Sequence, residues 1–348
     1  MVCVIFEHQS YTQRVVFGVE AARTRLAAEV DRLGAHRVLL VAAPSARAQA
    51  ASLTAGLPMA GAVDEVRMHV PIEVADAARR QAGETGADLL LAVGGGSATG
   101  TAKAVALSSG LPIVAVPTTY AGSEVTPVWG LTENGRKTTG VDERVLPRTV
   151  VYDPALTVGL PVEMSVASGL NALAHCVDSL WAPRVNPVDT ALALEAAHAL
   201  LEGLPRVHAA PTALEGRSST LYGAYLAALA FAGAGSGLHH KICHVLGGAY
   251  DLPHAQTHAV VLPHVLAFNA PAAPDPVARL ARALDASDAL AALNDLYDAV
   301  DAPRSLRALG LPEDRLPHAA ALIAQAAPPS NPRPVTEADA LAILEAAF

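Results

Sequence analysis

Aromatic residues are scarce in this chain, making up 4% of its 348 residues. With 52% of the residues apolar and alanine abundant, the interior must be packed from small and aliphatic side chains, which suits a helix-rich enzyme. Cysteine is scarce too. Cys3, Cys176 and Cys243 are scattered and odd in number, which excludes a disulfide framework and fits a reducing cytoplasm. Excess positive charge is missing: the net charge is −9, so nucleic acid is not an expected partner. A signal peptide is not visible either, because Glu7 and His8 stand where its apolar core would be. A cytoplasmic location is the expectation. The longest apolar run, 221–238, is interrupted by Tyr, Ser and Gly. It reads as a buried helix rather than a membrane span, and no membrane partner is expected. Lysine is the rarest cation, with Lys103, Lys137 and Lys241 against 21 arginines. A base-composition bias accounts for that ratio. The sites that keep lysine nonetheless become candidates for a role that arginine cannot fill.

What is present divides at about residue 156. A chain of this length holds two domains or one large one. Strand-like runs at 14–17, 37–42, 65–69, 89–93 and 112–116 alternate with helical periodicity at 19–33, 46–57, 72–82 and 99–108. Short apolar strands between helices predict a parallel sheet with crossover connections. From 126 to 152 the pattern is hairpin-like, with Asn134-Gly135 as the turn. Beyond Asp153-Pro154 strand signals nearly vanish, and Ala/Leu-rich helical stretches follow at 162–181, 188–204, 213–233 and 239–247. The fold class expected is α/β plus all-α, with an α/β domain over 1–156 and an all-helical domain over 157–348.

Two places carry chemistry. Gly94, Gly95, Gly96 and Ser97 follow a buried strand and open a helix. Glycines let backbone amides approach an anion, and a helix N-terminus favours negative charge. A tight turn without a ligand is the alternative, and the spacing is not the GxGxxG dinucleotide fingerprint. Thr118, Thr119 and Ser123 follow the next strand. Their hydroxyls either bond a cofactor or cap a helix. The second place is 237–264, which holds His239, His240, His244, His254, His258 and His264. His240 and His244, four apart, share a helix face. Such a cluster either holds a metal or handles protons.

Taken together, GGGS, a helix carrying Thr-Ala-Lys, PTT, Lys137, GLNALAH, HHKICHVLGG and LPH resemble the iron-containing alcohol dehydrogenase family, over about 17–269. Within the family the long runs VPTTYAGSEVTPVWGLTENGRKTTG and HHKICHVLGGAYDLPHAQTHAVVLPH are most similar to its maleylacetate-reducing branch. The resemblance implies a dehydroquinate-synthase-like fold, an active site in the cleft between a nucleotide-binding and a helical domain, NADH or NADPH as cofactor, and a homodimer. The family's metal is held by an Asp and three His. Position by position these become Asn171, His175, His240 and His254, and His244 matches a further cleft histidine. An amide oxygen is a poorer ligand than a carboxylate. Gly100 also departs from the Asp usual in the family. Both departures look like the maleylacetate-reducing branch, and no metal is expected.

The resemblance implies catalytic roles for His175, His240, His244, His254 and Lys137. Cofactor contacts fall to Gly94, Gly95, Gly96, Ser97, Thr118, Thr119, Ser123 and Lys137. Substrate contacts fall to Tyr120, Asn171 and the same four histidines. Bland alternatives stand beside these: a surface position for Lys137, packing for Tyr120, a solvated charge for Arg136 and backbone-bonded core roles for the histidines. Nothing marks Cys176 or Cys243 as a nucleophile. The reaction implied is reduction of maleylacetate, a small dicarboxylate, to 3-oxoadipate in bacterial aromatic-compound degradation. Hydride adds to a carbon–carbon double bond conjugated with a ketone, charge develops on an enolate oxygen, and a carbon is protonated. Replacing Asp by neutral Asn removes a negative charge from a site that must accept a dianion. The alternatives are an Fe- or Zn-dependent alcohol dehydrogenase on the same fold and a nucleotide-binding protein without catalysis. No acidic residue follows the 37–42 strand to hold an adenosine ribose, so the choice between NADH and NADPH is open.

Overall fold

The computed structural model describes residues 5–133 and 136–348, and for Arg136 and Lys137 it describes the backbone alone. The Asn134-Gly135 turn lies outside the described residues. The chain forms two compact units, one over Tyr11–Leu160 and one over Pro161–Phe348 together with the first ten residues. This division falls four residues beyond the 156/157 boundary expected. His8 gives a reason for the grouping of the N-terminal segment, since its Nδ1 lies 3.6 Å from Oδ1 of Asp189 in the helical unit.

The α/β unit runs β1 (Arg14–Phe17), α1 (Ala21–Arg32), β2 (Val38–Ala42), α2 (Arg47–Thr54), β3 (Met59–Ala62), α3 (Ile72–Glu84), β4 (Leu89–Gly94), α4 (Gly96–Ser109), β5 (Ile113–Pro117), β6 (Val128–Glu133), β7 (Arg136–Val141) and β8 (Thr149–Tyr152). Six strands form one sheet in the order β1-β8-β5-β4-β2-β3, and every pairing is parallel. The strands β2, β4 and β5 are buried along their whole length, which is why they read as unbroken apolar runs. Their side chains alternate between two cores. Val38, Leu40, Leu89, Leu91, Val114 and Val116 pack with Leu26 and Val30 of α1. Leu39, Val41, Leu90, Ala92 and Ile113 pack with Ala78 of α3 and Val105 of α4.

Two sequence expectations change. The strand expected at 65–69 is β3 at Met59–Ala62 instead. The later stretch leads into His69 and Val70 at φ 59° and 46°, a left-handed backbone that no strand contains. The hairpin pattern also ends early. β6 and β7 pair antiparallel, but Thr149–Tyr152 is β8 and lies between β1 and β5 in the parallel sheet. Asp153, just after it, accepts from the amides of Glu20, Ala22 and Ala155 and so ties the start of α1 to the end of β8.

The helical unit comprises α5 (Val162–Ser179), α6 (Pro187–Ala209), α7 (Leu214–Ala234), α8 (Leu238–Tyr250), α9 (His254–Asn269), α10 (Pro274–Ala283), α11 (Ala289–Ala299), α12 (Leu316–Ala326) and α13 (Glu337–Ala346). Every residue of α5 from Ser165 to Ser179 is buried, its polar residues Ser168, Asn171, His175 and Asp178 included. A core of this unit joins Ile242 and Leu246 of α8, Val261 and Val265 of α9, Ile323 of α12 and Leu344 of α13. Among the described residues no single helix is long and apolar enough to cross a membrane. The apolar run 221–238 is broken between α7 and α8, which meet at a bend of 99°.

Alanine and glycine bring α6 and α7 close. A Cβ on Gly203 would lie 2.7 Å from the Thr220 backbone nitrogen, and one on Gly223 would lie 3.0 Å from the Ala196 carbonyl. We expect Gly203→Ala to lower stability by about 1–3 kcal/mol through overpacking against backbone. Gly83→Ala on α3, where a Cβ meets nothing within 4 Å, is expected to be neutral or to stabilise by up to about 1 kcal/mol. Denaturant unfolding of the two variants checks the contrast, and equal effects would mean that the α6–α7 contact is not tight.

Candidate active site

In the α/β unit the glycine turn sits at the carboxyl end of β4. Gly94 has φ +144°, a conformation that side chains rarely adopt. Gly95 caps α4, which begins at Gly96, three residues before the start expected. The glycines themselves make the first turn, since the amides of Ala98 and Thr99 both bond the Gly95 carbonyl. Gly95, Gly96 and Ser97 are part-exposed, and the leading amides of a helix have no intrahelical acceptor. The turn after β5, the neighbouring strand, is tied to this one, with the Thr118 amide donating to the Gly94 carbonyl at 3.1 Å. A Cβ on Gly95 would lie 2.9 Å from Cγ2 and 3.0 Å from Oγ1 of Thr119. Thr118, Thr119 and Ser123 are half-buried. Neither Thr119 nor Ser123 caps a helix; Gly95 and Gly122 hold the capping positions. The structure thus gathers Gly94, Gly95, Gly96, Ser97, Thr118 and Thr119 at adjacent parallel strand ends. This cradle suits a pyrophosphate, and a side chain in it would disturb the turn opposite.

Tyr120 is different. It is fully buried, with its hydroxyl 3.5 Å from Thr157 Oγ1. Of its two readings the structure favours packing, so the expected substrate contact gives way to a core role. Lys137 lies on β7, paired with Thr132, and its side chain is outside the described residues. At Gly100 a Cβ would lie 2.8 Å from Val70 Cγ2, so the space for the Asp usual in the family is already taken. The carboxyl ends of β2 and β3 border a depression of about 520 Å³ lined by Ala42, Arg47, Ala62 and Asp64. Arg47 and an acid, Asp64, therefore stand together there, the acid coming from the loop after β3 rather than from the end of the 37–42 strand.

In the helical unit the histidines form layers. His244 and His254 are exposed, while His175 and His240 lie beneath them at 7% and 3% exposure. His239 and His258 are completely buried. Neighbouring rings touch: His175 stacks on His240 with centroids 5.0 Å apart, and His254 meets His258 at 4.4 Å. Asn171, one helical turn before His175 on α5, is 3% exposed, and its Oδ1 has no hydrogen-bond partner among the described residues.

Asp178 organises this layer. From α5 its carboxylate accepts the amides of Gly237, His239 and His240 at the start of α8, at 2.9, 3.3 and 3.2 Å. It also takes Nδ1 of His240 at 2.7 Å. A Cβ on Gly237 would lie 2.5 Å from Asp178 Oδ1, so glycine is needed for this approach. Burial pushes the Asp178 carboxyl up, against the pull of His239 and these amides. Four donors and a helix N-terminus make the carboxylate the form we assign. It fixes His240 as the Nδ1–H tautomer and leaves Nε2 as a buried atom without a hydrogen-bond partner among the described residues. Sequence reasoning missed Asp178. The available signal was its place three residues after His175 on one face of a helix.

Burial holds the imidazoles of His175, His240 and His258 well below the usual histidine range, and takes His239 down to about 3. Neighbouring histidines reinforce each shift. The inner rings are therefore neutral at pH 7. His264 on α9 is also lowered, by burial first and then by Arg304. Burial raises the thiols of Cys176 and Cys243, which leaves both protonated and poor nucleophiles.

Of the positions that match the family's metal ligands, His175 and His240 stack with ring centroids 5.0 Å apart and an interplanar angle of 19°, and Asn171 brings no charge. Among the described residues, the group of three His, Cys, Asp or Glu whose ligand atoms all lie within 4.8 Å of one another is His239, Cys243 and His258. The His239 Nε2 to His258 Nδ1 distance there is 2.9 Å. Nitrogens on one tetrahedral ion stand roughly 3.3 Å apart, from bonds of 2.0–2.1 Å. The shorter distance is a hydrogen bond between two rings.

Comparison with known proteins agrees with this architecture. The family model for iron-containing alcohol dehydrogenase matches residues 12–154, and that for the C-terminal part of the Fe-containing alcohol dehydrogenase family matches 165–348. The chain is 47% identical over 344 residues to a maleylacetate reductase of Sphingobium indicum, covering 98% of this chain and 97% of that relative. Among solved structures, an iron-containing alcohol dehydrogenase from Corynebacterium glutamicum superposes with a TM-score of 0.98 at 52% identity, covering 100% of this chain and 98% of the other. A maleylacetate reductase from Agrobacterium tumefaciens superposes with a TM-score of 0.94 at 42% identity, covering 99% of both. The chain belongs to the iron-containing alcohol dehydrogenase family and is an oxidoreductase.

Proposed function

We propose that the chain reduces maleylacetate to 3-oxoadipate with NADH or NADPH, in the bacterial breakdown of aromatic compounds, without a metal. The observation that carries this reading is Asn171. It is a neutral amide, buried with a bare oxygen beside the histidine layer, at the position where metal-dependent members of the family carry their anionic ligand. Near-full-length likeness to maleylacetate reductases supports it.

The nicotinamide cofactor supplies a hydride when bound. The glycine turn at 94–97 and the hydroxyls of Thr118 and Thr119 are its proposed anchors, through backbone amides aimed at the pyrophosphate. The remaining work is done by side chains of the helical unit. Hydride addition to the substrate's double bond leaves an enolate, and an enolate oxygen needs hydrogen-bond donors. His244 and His254, the exposed rings, are proposed to receive the substrate and to protonate its carbon. His240 is proposed as the ring that faces the oxygen, taking its second proton from solvent by way of the exposed His244 beside it. The Asp178 carboxylate behind it stabilises the imidazolium that forms, as the buried aspartate does in a catalytic triad. Neutral inner rings and neutral Asn171 leave room for a dicarboxylate, because a fixed carboxylate there would repel it.

The direct test is oxidation of NADH and NADPH with maleylacetate, before and after thorough chelation. We expect turnover with at least one cofactor and no loss on chelation. Restoring the acid with Asn171→Asp is expected to raise the Michaelis constant for maleylacetate, more at low salt than at high. A second reading, a metal-dependent alcohol dehydrogenase, is favoured by the 52% identity to the Corynebacterium glutamicum protein. Tightly held metal whose removal abolishes turnover would put that reading first.

Asp178→Asn separates the proposed role of Asp178 from simple folding. An amide in its place turns an N–H toward the α8 amides and loses the charge that supports His240. We expect turnover to fall by about 100-fold or more, with a stability cost of about 1–3 kcal/mol. Turnover kept within about threefold in a folded variant would contradict a role for the Asp178–His240 pair.

A further inference from the structure

Lys103, on α4, is 1% exposed. Its Nζ donates to the carbonyls of Ser123 at 2.6 Å, Thr126 at 2.7 Å and Val128 at 2.8 Å, with Thr126 Oγ1 at 3.3 Å. All of these acceptors lie in the segment that joins the turn after β5 to β6. Its own backbone pairing is one short turn, in which the amides of Val125 and Thr126 bond the carbonyls of Gly122 and Ser123, and at its far end the Pro127 carbonyl accepts the Asp142 amide and Val128 pairs with Val141 of β7. The lysine therefore fastens it to the helix that the glycine turn opens. An ammonium can aim three donors from one point at three carbonyls, whereas the planar fork of arginine cannot. This is a physical reason for lysine here in a chain that otherwise uses arginine.

We propose that Lys103 is a positioning residue for the nicotinamide cofactor, and that only its ammonium form holds the 118–123 turn in register with the glycine turn at 94–97. The proposal rests on the reading that these two turns hold the cofactor. A neutral amine has two N–H groups and a lone pair, so one of the three carbonyls would face that lone pair. Burial lowers the Lys103 ammonium from 10.5 to about 7, and Glu124 opposes the shift. Glu124 is itself buried, and its Oε1 accepts the Tyr152 hydroxyl at 2.7 Å. Other charges on the elements around α4 are engaged elsewhere or exposed. Arg79 of α3 donates to the Ala104 carbonyl and to Asp76, Arg144 pairs with Asp142, and Glu133 at the end of β6 is exposed. The clamp thus loses a donor as pH rises through the neutral range.

The test is NADH binding, read by nicotinamide fluorescence at pH 6 and pH 9, on either side of the Lys103 value of about 7, in wild type, Lys103→Met and Gly95→Val, with thermal melts reporting folding. We expect the wild-type dissociation constant to rise about tenfold from the lower to the higher pH, the loss of one charge-assisted hydrogen bond. Folded Lys103→Met should bind about tenfold more weakly at the lower pH and show no further change at the higher. A flat wild-type profile overturns the proposal, and so does a folded Lys103→Met that binds as wild type does. Should that variant not fold, the wild-type profile decides alone. Unchanged NADH affinity in folded Gly95→Val sinks the assignment of the turns to the cofactor, and the proposal with it.

Discussion

The carboxylate of Asp178 at the N-terminus of α8 is the interaction on which the histidine layer depends. One buried anion satisfies three backbone amides and one imidazole. It links α5, which carries Asn171 and His175, to α8, which carries His239, His240 and His244. Without it, three amides at the end of a helix would lack acceptors in a dry interior, and His240 would have no fixed tautomer. Gly237 allows the approach because any Cβ there would strike the carboxylate. Stability and chemistry thus meet in one side chain.

Two other buried charges, Lys103 and Asp153, follow the same pattern of satisfaction by backbone. Lys103 bonds carbonyls rather than an acid, and Asp153 accepts amides from the start of α1. Each fixes a connection that the sheet or the helices do not fix themselves. With few aromatics, the rest of the packing relies on alanine and glycine at close contacts, as between α6 and α7. Tightly packed small residues leave little freedom for a side chain to move, which suits a site whose rings must keep their order.

Much of the fold was legible in the sequence because its signals are local. The parallel strands β2, β4 and β5 read as apolar runs since both faces are covered. The helical half read as helices because its Ala/Leu-rich stretches keep a helical period. Two strands did not read correctly. β3, with its Ala and Gly residues, carries almost no strand signal, and its place is set by pairing with β2. β8 looked like part of a hairpin because it follows one, and its partners, β1 and β5, are distant in sequence.

For the site, the sequence by itself determined the residue types: the glycine triplet, the histidines of 237–264 and the neutral Asn171. Side-chain chemistry is a property of the residue, so its possible uses can be listed before folding. Tertiary structure alone decided which of those uses is open. It put Tyr120 in the core, His239 against His258, and Asp178 under His240. It also decided which rings are neutral, because desolvation depends on the depth at which a residue is packed, and depth is set by elements that the local sequence does not contain.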